Sequence, residues 1–339
     1  MSAPLGNPAT DFLVLRDVRT HFDMGRTFWS RTSKGVVKAV DGVSLVIRKG
    51  EVLGLVGESG CGKSTLSRTI MQLIRPTSGE IWLEGEELSA ISDKDIRHTR
   101  MNFQMIFQDP YASLNPRMTV MDTLAEAIRT RHPDLRGDEM RGRIAELLRT
   151  VGLNPAQMKR YPHEFSGGQR QRIAIARALA PEPRLIIADE PVSALDVSIQ
   201  SQILNLLKRL VREMGLTMIF ISHDLSVVGY VADRIAVMYL GHIVELGSAE
   251  AIVERPLHSY TKALMSAIPL PDPRAERQRS RIILHGDLPS PLNPPQGCVF
   301  APRSPVTHDE WMKTHAPPFE EILPDHWAAN CPFCVAKPA

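Results

Sequence analysis

A strand–loop–helix unit near the N-terminus sets the fold that this chain can adopt. The apolar run 52–56 is followed at once by residues 57–65, Gly-Glu-Ser-Gly-Cys-Gly-Lys-Ser-Thr. This run fits the pattern G-x-x-x-x-G-K-[ST], in which glycines let backbone N–H groups converge on phosphate oxygens. The helix that follows directs its positive N-terminal end at the same anion. The pattern therefore predicts a loop that binds the phosphates of ATP or GTP.

Individual side chains of this loop have distinct expected roles. Lys63 is expected to neutralise the β- and γ-phosphates, and the Ser64 hydroxyl to ligate Mg²⁺. Cys61 is interpreted as a small packing residue rather than a catalyst. A simple glycine turn is the alternative, and the Lys-Ser-Thr run at the correct place argues against it. The candidate nucleotide-binding residues here are Gly57, Ser59, Gly60, Cys61, Gly62, Lys63, Ser64 and Thr65.

The rest of the chain continues as an α/β domain. From about residue 11 to 267, short β-branched runs alternate with helical patterns. The apolar runs 52–56, 185–188 and 218–221 suit buried strands of a mostly parallel sheet. An amphipathic helix is predicted over 198–214 because apolar residues recur there at helical spacing. These residues are Ile199, Ile203, Leu206, Leu207 and Leu210.

Two carboxylates follow the predicted strand 185–188. Asp189 is placed to hold the Mg²⁺ shell, directly or through water. Glu190 lies one residue further, where a general base can polarise water for attack on the γ-phosphate. Two such acids can also be merely solvent-facing, but the preceding phosphate loop favours catalysis. The pair predicts nucleotide hydrolysis rather than nucleotide storage.

Composition excludes some classes of protein. The 339 residues are 43% hydrophobic, which is enough for a substantial core, and the formal charge is only +2. This balance lacks the strong basic field of a dedicated nucleic-acid binder. No apolar run approaches the roughly 18 residues of a membrane span, and residues 1–10 lack the pattern of a secretory signal. We therefore expect a cytoplasmic chain whose membrane association depends on a partner protein.

Residues 166–170, Ser-Gly-Gly-Gln-Arg, resemble the signature of ABC ATPases, which separates them from kinases and small GTPases. The candidate ligand-binding residues are Ser166, Gly167, Gly168 and Gln169. A serine and two glycines that open a helix present N–H groups and a hydroxyl to an anion. In that family the anion is the γ-phosphate of ATP held by the opposite subunit, so the resemblance implies a dimer. The alternative is an ordinary capped helix.

Other segments resemble motifs of the same family in the expected order. Gln108 is similar to the Q-loop glutamine, which senses Mg²⁺ and touches the membrane subunit. Residues 193–196, Ser-Ala-Leu-Asp, resemble the D-loop that crosses to the partner, and Asp196 is its candidate ligand contact. His223 resembles the switch histidine, which contacts the γ-phosphate and holds Glu190 and water in line. Outside this context, His223 would be interpreted as a structural histidine.

An aromatic side chain that stacks on adenine is expected upstream of the phosphate loop in this family. Phe22 best matches that A-loop position, and Phe28 is a weaker candidate. Packing in the core is the alternative role for Phe22.

The resemblance narrows to the ATPases of oligopeptide and dipeptide importers and covers nearly the whole chain. It depends mainly on residues 37–44, 57–66 and 107–117. It implies a RecA-like core, an antiparallel β subdomain and a helical subdomain at about 109–180. The Tyr-Ala-Ser at 111–113 resembles the second ATPase subunit of such importers. The implied partners are a sister ATPase in a heterodimer, two membrane permeases and an extracytoplasmic solute-binding protein.

This family resemblance implies an ATPase at the cytoplasmic face of the bacterial inner membrane that powers peptide import. Residues 101–129 would include the surface that receives a coupling helix of the permease, or form an ordinary helical face. Relatives also import nickel, glutathione, opines or oligosaccharides, so the cargo stays open. A soluble ABC protein acting on ribosomes or DNA is disfavoured, because such proteins usually carry two linked nucleotide domains or long coiled-coil insertions.

A change in composition near residue 268 predicts a division between an ATPase domain, 1–268, and a loop-rich appendix, 269–339. The segment 258–264 and Gly297-Cys298 also resemble the importer ATPases. Prolines interrupt regular structure in the appendix. They are Pro269, Pro271, Pro273, Pro289, Pro291, Pro294 and Pro295.

Many members of the importer family bind a [4Fe–4S] cluster through four cysteines of the appendix. Here Ser304 and Trp311 stand at the expected second and third positions, which makes such a cluster doubtful. The remaining thiols are Cys298, Cys331 and Cys334. The Cys-x-x-Cys pair could chelate zinc or iron–sulfur together with Cys298 and His326. Ordinary reduced thiols are the interpretation that we favour.

Overall fold

The computed structural model describes most of the chain. The described residues are 6–25, 35–269, 272–278, 281–284 and 286–335. Among them, no helix combines the length and the apolar character that crossing a bilayer requires. They form two compact units, the first within 1–49, 53–90 and 222–339, and the second within 50–52 and 91–221.

The strands and helices follow one another along the described chain. The strands are β1 Leu13–Asp23, β2 Val36–Ile47, β3 Val52–Val56, β4 Ser78–Leu83, β5 Glu86–Glu87, β6 Phe103–Ile106, β7 Leu185–Asp189, β8 Thr217–Ser222, β9 Arg234–Tyr239, β10 His242–Ser248, β11 Phe319–Leu323 and β12 His326–Ala329. The helices are α1 Lys63–Ile70, α2 Ile96–Thr99, α3 Pro110–Ser113, α4 Val120–Arg131, α5 Gly137–Thr150, α6 Gly167–Leu179, α7 Val197–Met214, α8 Leu225–Val231, α9 Ala249–Glu254, α10 Ser259–Ser266, α11 Pro273–Gln278 and α12 Glu310–Thr314.

The first unit contains an antiparallel sheet in the order β2-β1-β4-β5. Strands β1 and β2 pair from Leu13 opposite Ile47 to Asp23 opposite Val36. Leu13, with its neighbours Val14 and Leu15, is fully buried, so this end of the hairpin lies in the core. Phe22 lies at the other, exposed end, which leaves its ring accessible.

The first unit also contributes the strands β11-β12-β10-β9-β3 to a second sheet. Strands β3 and β9 run parallel, with Val56 opposite Val237. Every residue of β3 is buried, as expected for a strand covered on both faces. The appendix adds its own hairpin to this sheet, because β12 pairs with β10 through Ala328 opposite Glu245.

The second unit is built on the parallel strands β6, β7 and β8. The predicted strands 185–188 and 218–221 are confirmed by β7 and β8. The predicted helix 198–214 is confirmed by α7, whose buried face includes Leu206 and Leu210. Gly215 ends α7 in the left-handed conformation at φ +64°, as glycine commonly does after a helix.

The appendix is only partly loop-like. Residues 281–284 and 286–300 contain no helix or strand in the described chain, as the prolines predict. Residues 310–329, however, include α12 and the β11–β12 hairpin, because pairing with β10 supplies hydrogen bonds that the local sequence does not reveal. The division of the chain at residue 268 stays a prediction.

Candidate nucleotide-binding and catalytic site

The phosphate loop connects β3 to α1 and has a tightly enclosed backbone. Gly62 adopts φ +110°, a conformation that side chains rarely tolerate. A Cβ atom on Gly62 would lie 2.2 Å from the carbonyl oxygen of Ala39, and one on Gly57 would lie 2.2 Å from that of Met238. Both positions therefore require glycine, and the backbone can wrap closely around a ligand.

Lys63 begins α1, and its ammonium group lies inside the loop. Its Nζ atom donates to the carbonyl oxygens of Gly57 at 2.7 Å and Glu58 at 2.9 Å. Within the described chain, no side-chain hydrogen bond caps the N-terminus of α1. Its first-turn N–H groups and the ammonium group thus suit the phosphates of ATP. Ser59, Gly60 and Ser64 are exposed, while Thr65 is half-buried.

Cys61 is buried beneath the loop, in agreement with its interpretation as a packing residue. Its Sγ atom lies 3.8 Å from Nζ of Lys63. Burial raises the pKa of the thiol, although the nearby ammonium group opposes that shift. The carbonyl oxygen of Cys61 accepts a 2.8 Å hydrogen bond from the N–H of Gly241, which fixes the loop to the turn between β9 and β10.

Two residues of the first unit support the phosphate loop and were missed in the sequence. The N–H of Glu58 donates to the hydroxyl of Tyr260 at 2.9 Å. The Glu58 carboxylate pairs with the guanidinium of Arg303, whose Nη2 lies 3.2 Å from Oε1. Tyr260 lies in a segment, 258–264, that resembles the importer ATPases, so a signal existed for it. The sequence carried no signal for Arg303, because its partner Glu58 lies 245 positions away.

The two acids predicted for Mg²⁺ binding and catalysis lie in the second unit, at the end of β7. Asp189 is 8% exposed and opposite Ile221 in the register of β8. Glu190 has the left-handed φ of +46° and donates its N–H to the carbonyl oxygen of Ile221 at 2.9 Å. Gln108 Nε2 donates to Glu190 Oε2 at 3.1 Å. The structure therefore brings together two of the residues predicted for catalysis.

The signature segment opens α6 with a reciprocal cap. Ser166 Oγ accepts the N–H of Gln169 at 3.4 Å, and Gln169 Oε1 accepts the N–H of Ser166 at 3.0 Å. Ser166 is nevertheless exposed, and its hydroxyl proton can still be donated to an anion. Gly168 is required by packing, because a Cβ atom there would lie 2.6 Å from Cγ2 of Ile199. Gly167 is half-buried beside Leu195.

The predicted D-loop forms an exposed turn after Glu190. Ser193 Oγ donates to the carbonyl oxygen of Glu190 at 3.1 Å. Gln200 of α7 donates to the carbonyl oxygen of Leu195 at 2.9 Å, which holds the turn against the helix. Asp196 is the exposed N-cap of α7. Val197, which follows, is 78% exposed.

The remaining predicted ligand contacts lie in the first unit. His223 is exposed and follows β8 directly. Asp224 positions this turn, because its Oδ1 accepts the N–H of Ser226 at 2.9 Å and caps α8. Phe22 is 37% exposed at the end of β1. Phe28, the second candidate for stacking on adenine, lies outside the described residues.

The appendix cysteines converge, but on a different histidine from the predicted one. The donor atoms of the converging set all lie within 4.8 Å of one another, and each residue is buried; the set is Cys298, His308, Cys331 and Cys334. His326 is absent from the set because its Nε2 is paired at 2.8 Å with the buried Oε1 of Glu245. The choice of His326 was therefore wrong. Ser304 lies outside the set, and its Oγ accepts the N–H of Val306.

Comparison with known proteins finds two family models that match this chain. A family model described as ABC transporter matches residues 40–193. A second, described as oligopeptide/dipeptide transporter, C-terminal region, matches residues 244–310. Cys331 and Cys334 lie beyond both matches.

Relatives match almost the full length of the chain. The oligopeptide transport ATP-binding protein OppF of Salmonella typhimurium is 54% identical over 304 residues, covering 89% of this chain and 91% of the relative. The oligopeptide transport ATP-binding protein AppF of Bacillus subtilis is 52% identical over 318 residues, covering 94% and 96%.

Solved structures match the fold. A dimeric ATP-binding cassette in a post-hydrolysis state, bound to ADP and Pi, superimposes with a TM-score of 0.62 at 31% identity, covering 70% of this chain and 99% of that one. The structure of cbiO1 from Clostridium perfringens, part of an ABC transporter complex, has a TM-score of 0.62 at 29% identity, covering 73% and 92%.

The fold and the phosphate motifs thus define an ATP-binding subunit of the ABC class, an ATPase that uses ATP and Mg²⁺. Within that class, the chain belongs to the family of oligopeptide transport ATP-binding proteins.

Proposed function

We propose that this chain is one of two ATPase subunits that power the import of oligopeptides across a bacterial cytoplasmic membrane. The main support is the agreement of two independent features. The relatives named for oligopeptide transport match 89% to 94% of the chain. The chain also presents Ser166 and Asp196 on its exposed surface, as a subunit that completes a partner's site must do.

The chemistry is in-line hydrolysis of ATP. Backbone N–H groups of residues 57–65 hold the triphosphate, and Lys63 neutralises the β- and γ-phosphates. Mg²⁺, held by Ser64, Asp189 and Gln108, would supply positive charge to the phosphate oxygens. Glu190 orients the attacking water and accepts its proton.

The remaining groups contact the γ-phosphate and the adenine ring of ATP. His223 donates to the γ-phosphate and holds the water in line. Phe22 stacks on adenine. In the partner's site, Ser166 and the N-terminus of α6 stabilise the charge on the γ-phosphate, with Asp196 beside them.

The working unit is a pair of ATPases, and we propose a sister subunit as the partner. ATP draws the two subunits together and drives the permeases outward-facing, and hydrolysis and release reset them. The subunit is peripheral, at the cytoplasmic face of the membrane. The proposed permease-binding surface within 101–129 includes Phe107, whose exposed side chain (41%) beside the exposed Gln108 supports this assignment.

The cargo is tested with the assembled importer, because the ATPase does not contact it. The complex of this chain with its co-transcribed sister ATPase, permeases and binding protein is reconstituted in liposomes. We expect labelled tri- to pentapeptides to stimulate ATP hydrolysis and to accumulate inside. Stimulation by nickel, glutathione or an oligosaccharide, with no response to peptides, would reassign the cargo.

A further inference from the structure

The cluster of Cys298, His308, Cys331 and Cys334 has no part in nucleotide chemistry. Its residues are 0% to 5% exposed, and a buried polar group such as the His308 imidazole needs a partner. They come from two separate segments, 298–308 and 331–334. The fold brings these two segments together at one point.

Three of the distances between the donor atoms are close to those around a single tetrahedral ion. Zinc bonds of about 2.3 Å to sulfur and 2.0–2.1 Å to nitrogen require edges of about 3.7 Å between sulfurs and about 3.5 Å between sulfur and nitrogen. The Sγ atoms of Cys298 and Cys334 are 3.7 Å apart. His308 Nε2 lies 3.1 Å from Sγ of Cys334 and 3.3 Å from that of Cys331.

The surroundings of His308 fix the atom that faces the thiols. Its other ring nitrogen, Nδ1, lies 3.0 Å from the carbonyl oxygen of Val306. An N–H at Nδ1 donates to that carbonyl, so Nε2 carries a free lone pair. Histidines that ligate metals typically donate their second nitrogen to such a group. The backbone turns back at the paired cysteines, where the N–H of Cys334 donates to the carbonyl oxygen of Cys331 at 3.0 Å.

We propose that Cys298, His308, Cys331 and Cys334 bind a single zinc ion as a structural site. Three thiolates and one imidazole form one of the usual ligand sets for structural zinc. A [4Fe–4S] cluster is disfavoured because it requires four thiolates around a cage of iron and sulfide. Ligand atoms that all lie within 4.8 Å of one another enclose one ion, not such a cage.

The site has a structural consequence within the first unit. It joins the segment that carries Arg303 to the C-terminal cysteine pair. The latter is fixed to α10, because the N–H and Oγ of Ser259 donate to the carbonyl oxygen of Cys334 at 2.7 and 2.9 Å. Zinc would therefore hold the appendix where Arg303 meets Glu58. A cavity of about 510 Å³, lined by Cys298 and His308 among others, gives an ion access to the site.

Metal content of the purified full chain tests the proposal. Elemental analysis of protein expressed with both zinc and iron available should find roughly one zinc per chain. His308→Ala should lower the zinc content at least tenfold, whereas His308→Cys should retain it because four ligands remain. The matched control is His315→Ala, an exposed histidine of the same appendix, which should leave the zinc content unchanged.

Cobalt substitution provides a spectroscopic readout of the same ligands. Cobalt(II) should give the intense visible bands of a tetrahedral thiolate site and be displaced by zinc. Iron with acid-labile sulfide in place of zinc would overturn the proposal. So would three freely titrating thiols with no bound metal, a disulfide between Cys298 and Cys334, or full zinc content in a folded His308→Ala variant.

Discussion

The guanidinium of Arg303, in the C-terminal appendix, forms a two-pronged ion pair with the carboxylate of Glu58, in the phosphate loop. The Nη1–Oε2 and Nη2–Oε1 distances are 2.5 and 3.2 Å. The Arg303 side chain is 9% exposed and that of Glu58 is 31% exposed. Glu58 also donates its N–H to the hydroxyl of Tyr260 in α10, so two separate segments of the first unit contact this residue. The appendix thus helps to shape the nucleotide site of its own subunit.

The ion pair should stabilise the phosphate loop measurably. Arg303→Gln leaves the partly exposed Glu58 without its partner, and we expect a loss of about 1–2 kcal/mol in unfolding free energy, with weaker ATP binding. Chemical denaturation and nucleotide titration measure these changes. A double-mutant cycle with Glu58→Gln should give a coupling energy of about 1 kcal/mol. Coupling near zero, or an equal loss in the exposed control Arg255→Gln, would contradict the supporting role.

Glu190 should be the general base. Glu190→Gln keeps the shape and the contact with Gln108 but cannot accept a proton, so ATP turnover in the complex should fall by about a hundredfold or more. ATP binding should persist, and the dimer should be trapped in its closed form. Glu213→Gln, an exposed change on α7, is the control. Turnover close to wild type in Glu190→Gln would refute the assignment.

Replacement by alanine should destabilise the protein more at Gly168 than at the adjacent Gly167, because Gly168 lies in the contact between α6 and α7. Gly168→Ala places a methyl group where only 2.6 Å separates it from Ile199, and overpacking of this kind costs about 1–3 kcal/mol. Gly167→Ala meets its nearest neighbour, Leu195, at an ordinary 3.6 Å, and should cost under about 1 kcal/mol. Thermal unfolding of both variants measures the difference. Equal stability would show that the helices separate easily.

The Cys61 thiol should be unreactive near neutral pH. Because burial raises its pKa above the ordinary value of 9.0, the reactive thiolate is the minor form at pH 7 to 8. Alkylation by iodoacetamide should therefore be slow, should accelerate as the pH rises past 9, and should become fast on unfolding. Mass spectrometry of the peptide containing Cys61 measures the rate. Rapid labelling of the folded protein at pH 7 would show that the thiol is activated.

The central elements could be predicted because their signals are local. A fully buried strand such as β7 reads as an uninterrupted apolar run, and α7 shows its apolar stripe at helical spacing. In the sequence, the phosphate loop directly follows β3, Asp189 ends β7 and Glu190 comes next. Local pattern therefore predicted the core of the fold, whereas the hydrogen bond from Gln108 to Glu190 is seen only in the structure.

The appendix could not be predicted in the same way, because its contacts are long-range. The hairpin β11–β12 depends on pairing with β10, and the Glu245 carboxylate captures His326 through a separation of 81 residues. His308 lies nearer Cys298 than the Cys331 pair in sequence, and only the fold brings its Nε2 to the three thiols.

The most direct test of a shared ATP site compares ATP turnover by the isolated chain, by the assembled complex and by the complex carrying Ser166→Ala. The account predicts slow turnover by the isolated chain, rapid turnover by the complex, and a fall of about a hundredfold on loss of the Ser166 hydroxyl. Binding of ATP to the isolated variant should be unchanged. Full-rate hydrolysis by a strict monomer, unaffected by Ser166→Ala, would contradict the account.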